Sequence, residues 1–386
     1  MKHGNLICSN CTRSYALHPM RWKCDCGTFL DLEFEPKFPM RKILKRGPTL
    51  WRYREALPIA REESIVSMGE GVTPLETMHF EGRRVLIKVD YLFPTGSYKD
   101  RGATLLISKA KEQGVRKVVE DSSGNAGSAI AAYCARAGMT CEIYVPASTS
   151  PGKLVQIGAY GARLIKIEGS REKAAEAAME AASNLYYASH CWNPFFLHGT
   201  KTFAYEVCEQ MGWESPETLV LPVGHGTLFL GAYLGFRELR DAGIVGRIPK
   251  MVGVQSAACA PIYLAFKKGS QEIASIEKRE TVADGIAIAK PVRGRQILEV
   301  IRETGGEMLT VTEEEIAVAL KEMGQRGHFI EPTSAATIAG LQKYLKDIKD
   351  IKDIKDHIIV STLTASGLKA ADKIRHFQMD GRWGRG

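Results

Sequence analysis

The stretch KVVEDSSGNAGSAIAAYCARAG, Lys117–Gly138, opens as a short β-branched strand, breaks at a turn of serine and glycine, and continues as an alanine-rich helix. The same succession recurs on both sides of it. RVLIKVD (84–90) is a strand, followed by a Pro-Thr-Gly-Ser turn and a helix predicted over Ala103–Gly114. TLVLPVG (218–224) is a strand that runs through His225-Gly226-Thr227 into another helical run. CEIYVP (141–146), ARLIKIE (162–168), LYYAS (185–189), KMVGVQ (250–255) and HIIVSTL (357–363) read as further strands, with helices over 151–161 and 171–184. Strands alternating with helices build parallel sheets covered by helices, so the fold class is α/β.

A chain of 386 residues exceeds what one small core holds, and two domains plus an appendage are expected. Apolar residues make up 45% and charged residues 25%, as in an ordinary globular protein. No apolar run reaches membrane-spanning length, and MKHGNLICSNC at the start lacks a secretory core, so the expected location is cytoplasmic, with no membrane partner. The net charge of +8 is scattered among acids rather than clustered, which argues against a nucleic-acid partner. The repeat KDIKDIKDIKD (346–356) matches neither strand nor helix periodicity and is expected to be a solvated connector.

Among nine cysteines, Cys8, Cys11, Cys24 and Cys26 form CxxC followed by CxC, with Gly27 free to turn tightly after the second pair. Four thiolates fill a tetrahedral shell and leave no open position, so residues 1–35 are expected to form a zinc ribbon with a structural metal. The alternatives are free thiols, a disulfide pair, or a site without metal. The dispersed Cys134, Cys141, Cys191, Cys208 and Cys259 are expected to be reduced. Residues 36–75 read as a linking segment ending in the loop Gly-Glu-Gly-Val-Thr-Pro.

Ligands of open α/β sheets bind beyond the carboxyl ends of the strands, and four turns there carry chemistry. Lys99 follows the Pro-Thr-Gly-Ser turn as a positioned amine. Ser122-Ser123-Gly124-Asn125-Ala126-Gly127 lets backbone approach a flat ligand, with Asn125 as its donor. Gly224-His225-Gly226-Thr227 opens a helix whose free N–H groups suit a phosphate. Thr364-Ala365-Ser366-Gly367 offers a neutral hydroxyl. An amine, a ring-edge donor, a phosphate cradle and a hydroxyl are the needs of pyridoxal phosphate.

The stretches GSYKDRG (96–102), SSGNAG (122–127), PVGHGT (222–227), EPTSAA (331–336) and LTASGLK (363–369) resemble, in order and spacing, the threonine synthase family of fold type II (tryptophan-synthase-β-like) pyridoxal-phosphate enzymes. The resemblance covers about Gly69 to Lys369, and NPFFLHGTKT (193–202) resembles a further segment of that family. It implies a zinc-ribbon appendage over 1–35, a larger cofactor-binding domain over 36–98 and 203–386, and a smaller, mobile α/β domain over 99–202. It also implies a homodimer. Lys99 would form the Schiff base with the cofactor and then move substrate protons. Asn125 would bond the cofactor's 3′-oxygen, and Gly224, His225, Gly226 and Thr227 would cradle its phosphate. Thr364 would face the ring nitrogen and, as a neutral hydroxyl, leave it unprotonated. Ser122, Ser123, Gly124 and Ala126 would line the substrate's carboxylate side.

Family members commonly carry Asn-Ser and an Arg where this chain has His190, Cys191 and Phe196. An arginine replaced by phenylalanine removes a fork suited to a phosphate dianion. His190 and His225 could replace the charge as cations or stay neutral. The expectation is that the substrate is not O-phosphohomoserine, or that its phosphate is bound differently. Cys191 is either a spectator or a group selecting a sulfur-containing substrate. The reading is a lyase performing elimination or replacement at the β or γ carbon of a small amino acid. The alternatives are a serine/threonine dehydratase giving a 2-oxo acid and a non-catalytic zinc-ribbon binding protein on the same fold.

Overall fold

The computed structural model of the chain describes residues 4–277, 279–348 and 357–379. The chain divides into two compact units, one formed by residues 1–72 and 99–202, the other by 73–98 and 203–386.

In the second unit a six-stranded sheet runs in the order Glu307–Val311, Lys250–Ser256, Thr218–Pro222, Ile359–Thr362, Arg83–Lys88 and Leu75–Phe80. The first five are mutually parallel, in registers such as Val220↔Val252 and Val360↔Leu86. The sixth, Leu75–Phe80, is antiparallel to Arg83–Lys88. It corrects the all-parallel expectation and the linker assigned up to residue 75. The hairpin is closed by Glu81 and Gly82 at φ +50° and +72°, the left-handed pair that a two-residue turn requires. Val85, Ile87, Val220, Val252 and Val254 are buried in one cluster with Ala335, Ile338 and Ile316. β-branched residues suit such strands, buried on both faces.

In the first unit a four-stranded parallel sheet has the order Arg163–Ile167, Thr140–Pro146, Lys117–Glu120, Tyr186–Tyr187. Its core joins Val118 and Ile143 to Leu106 and Ile107 of the helix Lys99–Glu112 and Ile130 of the helix Asn125–Ala137. The latter helix stops at Gly138, a left-handed cap with φ +67°. The former starts at Lys99, earlier than the predicted Ala103, with Asp100 in its first turn where the helix dipole favours an acid.

Residues 36–72, expected with 73–98, fold instead into this first unit. The Trp51 indole donates to Glu70 Oε1 at 3.0 Å and Thr104 Oγ1 at 3.1 Å, and the Val66 N–H donates to Ser108 Oγ at 2.8 Å. Leu50, Trp51 and Leu57 pack on Leu105. Each fully buried leucine of that contact contributes on the order of 2 kcal/mol.

Residues 6–8, 14–15 and 30–32 form a small antiparallel sheet in the same unit. Trp22 anchors it edge-on to Tyr187 and Trp192, with ring centroids 5.0 and 5.2 Å away. Among the described residues no helix is long and apolar enough to cross a membrane. The repeat at 346–356 begins as the end of the helix Pro332–Asp347, and its residues 349–356 lie outside the described residues.

Candidate active site

In the second unit three neighbouring parallel strands, Thr218–Pro222, Ile359–Thr362 and Arg83–Lys88, send their carboxyl ends into the turns singled out above. The first leads to Gly224–Thr227. Gly226 sits at φ +76° as N-cap of the fifteen-residue helix Thr227–Asp241. A β-carbon on Gly226 would lie 2.4 Å from Ile297 Cδ1, and one on Gly224 would lie 2.9 Å from Gly285 O. Only glycine fits at either place, so backbone N–H groups line this helix start, where the first turn has no intrahelical acceptors. The Tyr98 hydroxyl meets Thr227 Oγ1 at 3.0 Å, and the Tyr98 N–H donates to Thr364 O at 2.9 Å. The residue covalently preceding Lys99 is thus tied to both candidate turns. Thr364 is fully buried and hydrogen-bonded to Ser334 and Glu331. These two lie within EPTSAA, and their side chains were not among the predicted site residues.

In the first unit Ser122–Gly127 leaves the strand Lys117–Glu120, and His190 and Cys191 follow its neighbour Tyr186–Tyr187. Parallel pairing of Val119 with Tyr187 therefore brings the two segments to one end of the sheet. A β-carbon on Gly127 would come 1.8 Å from Ser122 O, so the helix of Asn125 and Ala126 presses directly on the serine turn. Asn125 is half-buried at the start of that helix, and Ser123 is half-buried beside the exposed Gly124.

Lys99 is half-buried, with Nζ 5.8 Å from the Phe196 ring centroid. Phe196 is fully buried, edge-on to His190 at 6.0 Å and under Gly102, whose β-carbon would lie 2.4 Å from the ring. A phenylalanine there fills the space against the Lys99 helix and offers no charge.

His190 Nδ1 lies 2.7 Å from Glu120 Oε1, a pair the sequence reading did not include. Burial lowers the His190 imidazole well below its usual range, assisted by the Lys99 and Arg171 cations, while Asp121 opposes. Burial likewise pushes the Glu120 carboxyl up to about 8. Burial thus holds both groups toward their uncharged forms, and the single hydrogen between Nδ1 and Oε1 is carried by one or the other according to the imidazole tautomer. Glu120 Oε2 has no hydrogen-bond partner among the described residues, which suits a neutral acid far better than an anion. Of the two states considered for His190, the structure favours the uncharged one. The Cys191 thiol, 3.4 Å from Ser189 Oγ, is pushed by burial up to about 12 and is no thiolate. His225 is half-buried in the second unit.

The Glu120 shift sets a pH dependence. A carboxyl raised from 4.5 to about 8 stabilises the fold below 4.5, and that contribution is lost as pH rises through 8. His190, lowered from 6.5, acts oppositely, contributing above 6.5 and losing its effect as pH falls. Of this pair only Glu120 should contribute a slope between pH 7 and 8, at most about 1.4 kcal/mol per pH unit. Thermal melts over this range are expected to show the native protein losing stability relative to Glu120→Gln as pH rises, and parallel curves would refute the assignment.

Cys8, Cys11, Cys24 and Cys26 also converge. Cys8 and Cys26 are 3.5 Å apart at sulfur, as are Cys11 and Cys24, and all four sulfurs lie within 4.8 Å of one another. Gly27 turns the second pair at φ +86°.

Residues 66–364 match the pyridoxal-phosphate dependent enzyme family. The chain belongs to that family. Threonine synthase from Methanocaldococcus jannaschii is 37% identical over 95% of this chain and 93% of its own length. Threonine synthase from Methanosarcina acetivorans is 36% identical over 88% and 86%. A solved threonine deaminase isoform 2 from Solanum lycopersicum superposes with a TM-score of 0.68 over 80% of this chain and 84% of its own, at 24% identity, and shows the shared fold. The protein is thus a pyridoxal-phosphate-dependent, threonine synthase-like lyase with a mixed α/β fold of type II. The residues fit the cofactor chemically, with an amine, an amide donor, a glycine-lined helix start and a buried hydroxyl.

Proposed function

We propose that this enzyme forms threonine and inorganic phosphate from O-phosphohomoserine and water. The observation that carries the reading is the similarity to a threonine synthase over nearly the full length of both chains. Of the two possibilities left by the replaced residues, the phosphate is bound differently. Phe196 offers no charge where an arginine fork would grip that phosphate, and burial holds His190 toward its uncharged form.

Bound pyridoxal phosphate supplies the electron sink for charge developing on the substrate carbons. Lys99 holds the cofactor through its amine and afterwards carries protons at the substrate's α and γ carbons. Asn125 would donate to the cofactor's 3′-oxygen, and the N–H groups of Gly224–Thr227 would hold its phosphate. Ser122, Ser123 and Gly124 orient the substrate carboxylate, with Ala126 behind them. Loss of phosphate from the γ carbon and addition of water at the β carbon give the overall balance.

A steady-state assay decides. Threonine and phosphate should appear in equal amounts, with kcat/KM at least about a hundredfold above that for 2-oxo acid from serine or threonine. Ammonia and 2-oxo acid without threonine would instead establish the dehydratase.

In the same reading Cys8, Cys11, Cys24 and Cys26 bind a structural zinc. Zn–S bonds of about 2.3 Å put tetrahedral sulfurs about 3.8 Å apart, close to the separations present. Elemental analysis should find one zinc per chain, and chelation should expose the Trp22 contact to solvent and quench-accessible fluorescence changes should follow. Zinc-free protein with an unchanged Trp22 environment would refute it. Light scattering at the mass of two chains would support the expected homodimer.

A further inference from the structure

Tyr98 belongs by its backbone to one strand-end turn and by its hydroxyl to another. Its own turn is pinned through the main chain to the turn that follows Ile359–Thr362. The Tyr98 N–H donates to Thr364 O at 2.9 Å, and the Ser366 N–H donates to Gly96 O at 3.0 Å. An antiparallel bridge joins Ser97 to Ala365 between them, and Lys369 Nζ donates to Thr95 O at 3.1 Å. Residues 95–98 are thus held along their length, and the half-buried ring of Tyr98 leaves a backbone with little freedom.

At its far end the Tyr98 hydroxyl meets Thr227 Oγ1 at 3.0 Å. Thr227 is buried and is the first residue of the helix Thr227–Asp241, directly after the left-handed Gly226. A helical threonine divides between two χ1 rotamers. A hydrogen bond to a fixed phenol selects one of them, whichever of the two hydroxyls donates. The helix start itself cannot shift to compensate. A β-carbon on Gly226 would collide with Ile297 and one on Gly224 with Gly285 O, so packing closes the cradle from the other side. The place of the Thr227 hydroxyl is therefore set by Tyr98.

We infer that Tyr98 is a positioning residue for the cofactor, holding the Thr227 hydroxyl in the rotamer that meets the phosphate bound at this helix start. The inference rests on the reading that residues 224–227 take that phosphate. Tyr98 touches no reacting atom in this role. A phenylalanine at 98 would keep the ring and the backbone bonds and lose only the link to Thr227. Ordering a side chain before its ligand arrives removes part of the entropic cost of binding. The effect of Tyr98 should therefore appear as affinity for the phosphate end of the cofactor.

The test titrates cofactor-free protein with pyridoxal phosphate and, in parallel, with pyridoxal, which lacks the phosphate. Tyr98→Phe should raise the Kd for pyridoxal phosphate about three- to tenfold, the scale of one hydrogen bond, and leave that for pyridoxal within about twofold of native. Thr227→Val should behave alike. The double variant should bind no more weakly than Thr227→Val alone, because the two residues act as one unit. A Tyr98→Phe protein that loses affinity for both ligands equally would show a general role in the fold and overturn the inference. Thr227→Asp separates the inference from the reading beneath it, since the helix dipole accepts an acid there while a bound phosphate is repelled. If Thr227→Asp weakens pyridoxal phosphate binding and Tyr98→Phe leaves it native, the cradle stands and the inference falls. If Thr227→Asp leaves it native too, the placement of the phosphate at 224–227 fails, and the inference with it.

Discussion

Lys99→Ala should reduce threonine formation by roughly a thousandfold or more, because one residue supplies both the covalent anchor and the proton carrier. The loss should be chemical rather than structural. Lys99 is only half-buried, and its Nζ meets Phe196 at 5.8 Å, a contact worth about 0.5–1 kcal/mol. A melting temperature within a few degrees of native would mark the loss as chemical. Borohydride should fix the cofactor onto the native chain at Lys99 and onto nothing in the variant. An added small primary amine should restore part of the rate, as it replaces the missing nucleophile. A variant that keeps its rate, or that still traps cofactor at another lysine, would remove Lys99 from the mechanism.

What could be read in the sequence was what is local along the chain. The strand, turn and helix succession around 117–138 shows in neighbouring residues, and so do the spacing of Cys8, Cys11, Cys24 and Cys26 and the glycines at 224 and 226. The groups that tune the site are paired across distances that depend on strand order. Glu120 meets His190 seventy residues away because the strands before them pair in parallel at Val119 and Tyr187. Glu331 and Ser334 reach Thr364 through the Ile330–Ser366 bridge. Neither pairing has a periodicity to betray it. The hairpin at 75–88 escaped because Glu81-Gly82 lacks the Asn-Gly or Asp-Gly pair that announces such turns. Residues 36–72 carry few regular elements, and their place in the first unit depends on Trp51 finding Glu70 and Thr104.

The helix that begins at Lys99 is held by a close crossing with the helix Pro194–Thr200, and Gly199→Ala should disturb it more than any other single methyl at that crossing. A β-carbon at 199 would lie 2.1 Å from Arg101 O and 2.7 Å from Gly102 Cα. These are backbone atoms and cannot swing aside as a side chain would. The helices cannot slide to make room either. Arg101 Nη1 donates to Thr202 Oγ1 at 3.2 Å, and Phe196 fills the space over Gly102. They must part, at an overpacking cost of about 1–3 kcal/mol or more. A shift of about 1 Å at Lys99 can slow the reaction by on the order of a hundredfold. Gly158→Ala is the matched control. Gly158 is an exposed helical glycine with nothing within 4 Å of its β-carbon position. There the same methyl should stabilise the helix by about 0.5–1 kcal/mol and leave the rate alone. Melting curves and kcat measured for the two variants should therefore move in opposite directions for stability and diverge for rate. If Gly199→Ala matches Gly158→Ala in both, the crossing is not what seats Lys99.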